Sequence, residues 1–231
     1  MQANKKTATM PLAGQILNFL KGLTIPVALP RSVAILNPYQ DPVAWNCCMD
    51  FYTKYYTDTA TRTLILGINP GRLGGGLTGI PFTDPIRLQE ICGIANPFPK
   101  KGELSSEFMY RMITAFGGAE KFYKKFYFSS VSPLGFTQKG KNLNYYDLPM
   151  VEKRLTPLIH HWLQQQIDLG CRTDRVFCVG EAENYRFLTR INEGQRYFQE
   201  IVPLPHPRFI MQYRRKKIEE YVALYLEKFQ P

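Results

Sequence analysis

The chain has 231 residues, 45% of them hydrophobic and 21% charged, the make-up of an ordinary soluble globule, and no segment approaches the length of a transmembrane helix. Its 29 Lys and Arg against 19 Asp and Glu leave a net charge of +10, so its expected partners are polyanions, nucleic acid ahead of an anionic membrane. Cys47, Cys48, Cys92, Cys171 and Cys178 form no CxxC pair and have no histidine at ligand spacing, which argues against a zinc or iron–sulfur site and for a reducing compartment.

Leu12, Ile16, Leu17 and Leu20 recur at helical spacing and predict an amphipathic helix over residues 11–22. Gln15, Asn18 and Lys21 interrupt its apolar face, and no small-residue cleavage site follows, so it is not read as a secretory signal. Pro26, Pro30, Pro38 and Pro42 make residues 24–42 an extended surface segment in which 32–36 dock as a short strand. A helix follows over 42–55, with proline at its start and Trp45, Met49 and Tyr52 on one side. Cys47 and Cys48 within it read as small buried apolar residues.

Thr63 to Leu66 is a short apolar run suited to a buried parallel strand. It empties into a long loop, Gly67-Ile68-Asn69-Pro70-Gly71 onward to Thr78-Gly79-Ile80-Pro81-Phe82. This is not a P-loop, because no Gly-Lys-Ser/Thr ends it, and not a dinucleotide fingerprint, because no helix opens directly on G-x-G-x-x-G. A glycine-rich loop at the carboxyl end of a strand is where an open α/β sheet keeps its ligand site. The chemistry available there is that of Asn69, Phe82 and Asp84.

Further on, helices are predicted near 85–92 and from Ser105, as N-cap, to Phe116, with strands over 126–131, 176–180 and 198–202. Residues 135–147 read as a polar loop holding Lys139, Lys141 and Asn142, and 149–168 as a long helix that carries His160 and His161 on its face. The alternation predicts a three-layer α/β/α sandwich around a mostly parallel sheet of about four strands, in one domain spanning residues 1–231.

The last predicted strand runs into Pro203-Leu204-Pro205-His206-Pro207-Arg208, where the bracketing prolines hold the histidine rigidly at the same sheet edge as Asn69. Ile218, Tyr221, Val222, Tyr225, Leu226 and Phe229 form the face of a final helix whose first turn is placed near residues 212–215. Arg214, Arg215, Lys216 and Lys217 would then sit at the positive end of its dipole, a poor structural choice but a good phosphate site. Phe209, Ile210 and Met211 beside these cations read as an apolar wedge for a base stack.

Together, Gly67-Ile68-Asn69-Pro70-Gly71, Thr78-Gly79-Ile80-Pro81-Phe82 and His206-Pro207-Arg208 resemble the motifs of the uracil-DNA glycosylase superfamily, most closely its single-strand-selective monofunctional (SMUG-type) branch. The resemblance implies an intracellular monomer acting on DNA, without cofactor, metal or membrane partner, placed with the chromosome in nucleoid or nucleus. It implies a monofunctional enzyme that flips uracil and related bases, 5-hydroxymethyluracil or xanthine among them, and hydrolyses their N-glycosidic bonds in base excision repair. Asn69 would orient the attacking water and His206 would hydrogen-bond the base oxygen where negative charge grows. Phe82 would stack on the flipped ring, the Ile68 backbone would read its edge, and Gly71 would leave room for water or a 5-substituent. Arg208 with Phe209, Ile210 and Met211 would fill the gap in the stack, and Arg214 and Arg215 would meet phosphate. Ser130 stands where the family carries a base-reading asparagine, and the second motif lacks the usual Ser-Pro between His-Pro and Arg. These departures keep two alternatives open: a DNA-damage-binding relative with weak or no catalysis, and an unrelated α/β enzyme for a small nucleotide.

Overall fold

A computed structural model describes residues 10–230. In chain order its elements are helix α1 (Leu12–Lys21), strand β1 (Val33–Leu36), α2 (Pro42–Tyr55), β2 (Thr63–Gly67), α3 (Gly75–Thr78), α4 (Pro85–Glu90), α5 (Leu104–Ala115), α6 (Ala119–Tyr123), β3 (Phe126–Ser130), β4 (Gly135–Gln138), β5 (Lys141–Leu143), α7 (Pro149–Asp168), β6 (Arg175–Val179), α8 (Glu183–Gln195), β7 (Glu200–Leu204), α9 (Pro207–Tyr213) and α10 (Ile218–Lys228). Strands β2, β3, β6 and β7 form one four-stranded sheet in the order β3-β2-β6-β7, and every pair in it is parallel. Parallel strands are buried on both faces, which is why their sequences are apolar runs without alternation. Successive side chains of β3 show the two faces: Phe126 packs at 4.7 Å from Phe229 beyond α10, while Tyr127 meets Tyr56 just past α2 at 5.8 Å. The expected layered α/β architecture is the one observed.

Three local expectations differ. The residues read as a polar loop, 135–147, contain the β4–β5 hairpin, which pairs with β1 into a second, antiparallel sheet in the order β1-β4-β5. Its turn, Lys139-Gly140, has both residues at positive φ, the geometry that matches hairpin twist. The buried face of α2 is Ala44, Cys47, Cys48, Phe51, Tyr52 and Tyr55; Met49 points to solvent instead. Helix α5 begins at Leu104, so Glu103, not Ser105, stands at its N-cap. The five cysteines are free and buried, and burial pushes the Cys48 and Cys171 thiols up, as expected of inert core residues.

Candidate active site

The parallel register decides what meets at the sheet's carboxyl edge. Gly67 at the end of β2 lies level with Ser130 at the end of β3, and Val179 of β6 lies level with Leu204 of β7. The ladder continues past the strands through Val131 N–H to Gly67 O, Ser132 N–H to Ile68 O and Gly180 N–H to Leu204 O. Asn69, Ser130, Gly180 and His206 are therefore delivered to one place by four neighbouring strands. They line a single cavity of about 570 Å³, together with Ile68, Gly71, Phe82, Glu103, Asn142 and Arg208.

The Asn69 amide is fixed in both halves. Its Nδ2 donates to Leu143 O at 3.1 Å, and its Oδ1 accepts the Tyr145 N–H at 3.0 Å. Tyr145 is itself held by its hydroxyl, which donates to Asn184 Oδ1 at 2.9 Å, and Asn184 Nδ2 donates to Val179 O. One lone pair on Oδ1 and one proton on Nδ2 remain for a ligand.

His206 is the N-cap of α9, and its Nδ1 accepts the Arg208 N–H at 3.1 Å. An accepting Nδ1 carries no proton, so the neutral ring presents Nε2–H as a donor. Desolvation, with the Arg208 charge second, lowers the His206 pKa to about 4.

The Phe82 ring lies across the end of β2. A Cβ on Gly67 would come within 2.8 Å of Phe82 Cζ, so only glycine admits the ring there. Phe82 holds φ +54, a left-handed conformation unusual for an aromatic residue, and its ring packs on Phe128 at 5.2 Å. Gly135 makes a second close approach: its Cβ would fall 2.3 Å from Pro70 O, in the turn that carries Asn69. Gly135→Ala should therefore displace that turn, lowering stability by about 1–3 kcal/mol. Any activity that depends on Asn69 should fall further than folding does, because a misplacement of about 1 Å can cost on the order of 100-fold. Thermal denaturation and activity on one preparation check this; an alanine variant with native activity would show the contact to be slack.

The expected wedge is corrected. Residues 207–213 are a helix, and its period turns Ile210 and Met211 inward, where they are buried, while Arg208, Phe209, Gln212 and Tyr213 face out along the cavity rim. Tyr213, 66% exposed, lies 5.7 Å from Phe209, whose ring is covered at 5.3 Å by the Arg214 guanidinium. A break at Arg214 and a 3₁₀ turn at Arg215–Lys217 separate α9 from α10. The cations thus follow the negative C-terminal end of α9, and Glu219 and Glu220 occupy the first turn of α10, both favourable to the dipoles. Arg214 and Arg215 lie outside the cavity lining, and Arg215 pairs with Glu107 at 3.4 Å.

Sequence reasoning missed Glu103, Asn144, Tyr146, Gln212 and Tyr213 in the lining. For Glu103 no sequence signal existed, since its place depends on how α5 meets the Asn69 loop. Burial, with Asp84 nearby, raises the Glu103 pKa to about 7, while Arg208 pulls it down. The signs of the two perturbed groups oppose. The folded protein binds fewer protons than the unfolded chain at His206 between about pH 4 and 6.5, so that term of stability is lost as pH falls through this window. At Glu103 it binds more between 4.5 and about 7, so that term is lost as pH rises. Glu103→Gln should melt progressively higher relative to wild type as pH goes from 4.5 to 7; a constant difference in melting temperature would contradict the assignment.

The profile described as the Uracil DNA glycosylase superfamily matches residues 53–230. The crystal structure of wild-type SMUG2 from Pedobacter heparinus superposes with a TM-score of 0.93 at 44% identity, covering 95% of this chain and 97% of that one. A parallel sheet that brings its early amide and its late imidazole to one cavity, matched over most of the chain at that identity, has one explanation: this chain belongs to the uracil DNA glycosylase superfamily of DNA glycosylases, on its SMUG-type branch.

Proposed function

We infer that the protein hydrolyses the N-glycosidic bond of uracil and related damaged bases flipped out of DNA. The observation that carries this reading is the convergence of Asn69, His206 and Phe82 on one cavity. As the bond stretches, the sugar becomes oxocarbenium-like and the base departs with negative charge. The neutral His206 would offer Nε2–H to the base oxygen where that charge grows; a proton held on a nitrogen whose partner atom is already accepting is a fixed donor and needs no reorganisation. Asn69 cannot abstract a proton. Its free Oδ1 lone pair can hold a water in line with the anomeric carbon, because Leu143 and Tyr145 already fix the amide plane. Phe82 would stack on the everted ring and Ser130 would face its edge. No lysine is among the cavity-lining residues, which favours attack by water over an imine with the sugar.

The test is to incubate the purified protein, in chelator, with oligonucleotides holding one uracil, 5-hydroxymethyluracil or xanthine, and to score alkali-labile sites. Strand scission only after alkali is expected. Salt-sensitive binding without such sites would leave a binding protein and overturn the enzymatic reading.

A further inference from the structure

The loop that carries Asn69 is pinned at several points, and one of these pins runs deep into the core. Glu103 fills the slot left by Gly74, whose Cβ would fall 1.9 Å from Oε2, and Asn142 Oδ1 accepts the Arg72 N–H at 3.0 Å. Neither bonds the Asn69 amide. The groups that do are Leu143 O, on edge strand β5, and the N–H of Tyr145, in the turn between β5 and α7. Tyr145 lies outside both sheets, so no ladder fixes that N–H. Its side chain supplies the anchor. The ring is buried against Phe187 of α8 at 4.8 Å, and the hydroxyl donates to the buried Asn184 Oδ1 in the first turn of the same helix. Asn184 Nδ2 then donates to Val179 O, at the end of β6, at 3.0 Å and to Cys178 Sγ at 3.4 Å.

These bonds close a circuit. Strands β2 and β6 are neighbours in the large sheet; Asn69 leaves the end of β2, and the relay from Asn69 through Tyr145 and Asn184 returns to the end of β6. The amide is therefore located twice over, by its own backbone and by three hydrogen bonds in series. Stability does not call for such a relay, because replacing both partners of a buried hydrogen bond by apolar groups of the same shape can be nearly neutral. What a relay of polar groups adds is direction, since each bond has a preferred length and angle. We propose that Tyr145 and Asn184 are positioning residues that hold the Asn69 amide in register with the strand ends. Asn184 reaches the cavity wall, yet both ends of its amide are engaged inward. The relay serves Asn69 and not His206, whose Nδ1 is held separately by the Arg208 N–H. This rests on the glycosylase reading and adds to it two residues that act only through a third.

The experiment is a double-mutant cycle on the full chain. Tyr145→Phe deletes only the hydroxyl, and single-turnover excision is measured on single-stranded oligonucleotides holding one uracil, 5-hydroxymethyluracil or xanthine, using whichever base the wild type removes fastest. Tyr145→Phe should slow the chemical step about tenfold, less than the order of 100-fold that a misplacement of about 1 Å can cost, with DNA affinity by fluorescence anisotropy little changed. Made in Asn69→Ala, the same change should alter the residual rate by less than about twofold, because no amide is left to position, whereas in His206→Ala it should again cost about tenfold. Asn184→Ala cuts the relay from its other end and carries the test in the same three backgrounds should Tyr145→Phe fail to fold. A loss of equal size with and without Asn69, the mark of a merely structural role, overturns the assignment alone, as does no loss in the wild-type background. Excision of none of the three bases by the wild type overturns the glycosylase reading with it.

Discussion

Replacing Asn69 by alanine should slow excision by about 100- to 1000-fold, the cost of losing one preorganised polar group at a reacting centre. In the proposed mechanism the amide acts by position. With Leu143 O and the Tyr145 N–H engaging its two ends, the group cannot rotate, and under the proposed mechanism it would present the attacking water at a fixed angle. Alanine would remove the proposed water's anchor and free two backbone groups beside the open cavity, so the stability loss should stay near ~1–2 kcal/mol. Single-turnover kinetics should show the whole decrease in the chemical step, while fluorescence anisotropy shows DNA affinity within a few-fold of wild type. A variant that keeps its rate would remove Asn69 from the mechanism.

A loss of similar size, about 100-fold or more, is expected for His206→Ala, with a different pH signature. If the ring served as a general acid with an ordinary pKa, activity would decline as pH rose through 6.5. A neutral donor behaves otherwise. The folded pKa near 4 keeps Nε2–H in place across the neutral range, so activity should hold from about pH 5 upward as far as this residue decides it. As pH falls through about 4, protonation of Nδ1 converts the acceptor for the Arg208 N–H into a second donor, and the cap of α9 is lost with the cavity geometry. The pH profile of kcat/KM separates the cases: a descending limb centred near 6.5 that vanishes in the alanine variant would refute the neutral-donor role.

What the chain disclosed before folding follows from physics that is local in sequence. The runs at Thr63, Phe126 and Val176 are strands buried on both faces, and their apolar density marks them. The motifs of Asn69 and His206 lie just past strands, so a parallel sheet had to gather them. The β4–β5 hairpin was illegible because two of its three β5 residues are exposed and its turn begins with a lysine, a rare occupant of positive φ. The α9–α10 break was hidden because Met211 and Ile218 are seven residues apart, a helical spacing that spans the cation run between them. Ile210 and Met211 belong to the core of the first helix, and Ile218 opens the second. Glu103 could not be read at all, since its meaning depends on the absent side chain of Gly74, 29 positions earlier in the chain.

Asn69 sits on the large sheet, yet the atoms that hold its amide come from residues 143 and 145, at the outer end of the small one. The Asn69 geometry is thus braced from a short edge strand, two of whose three residues are exposed. Warming should fray that brace well before the parallel core gives way, so enzymatic competence would be the first casualty of heat, fading while the far-ultraviolet spectrum still reports an intact protein and returning on cooling.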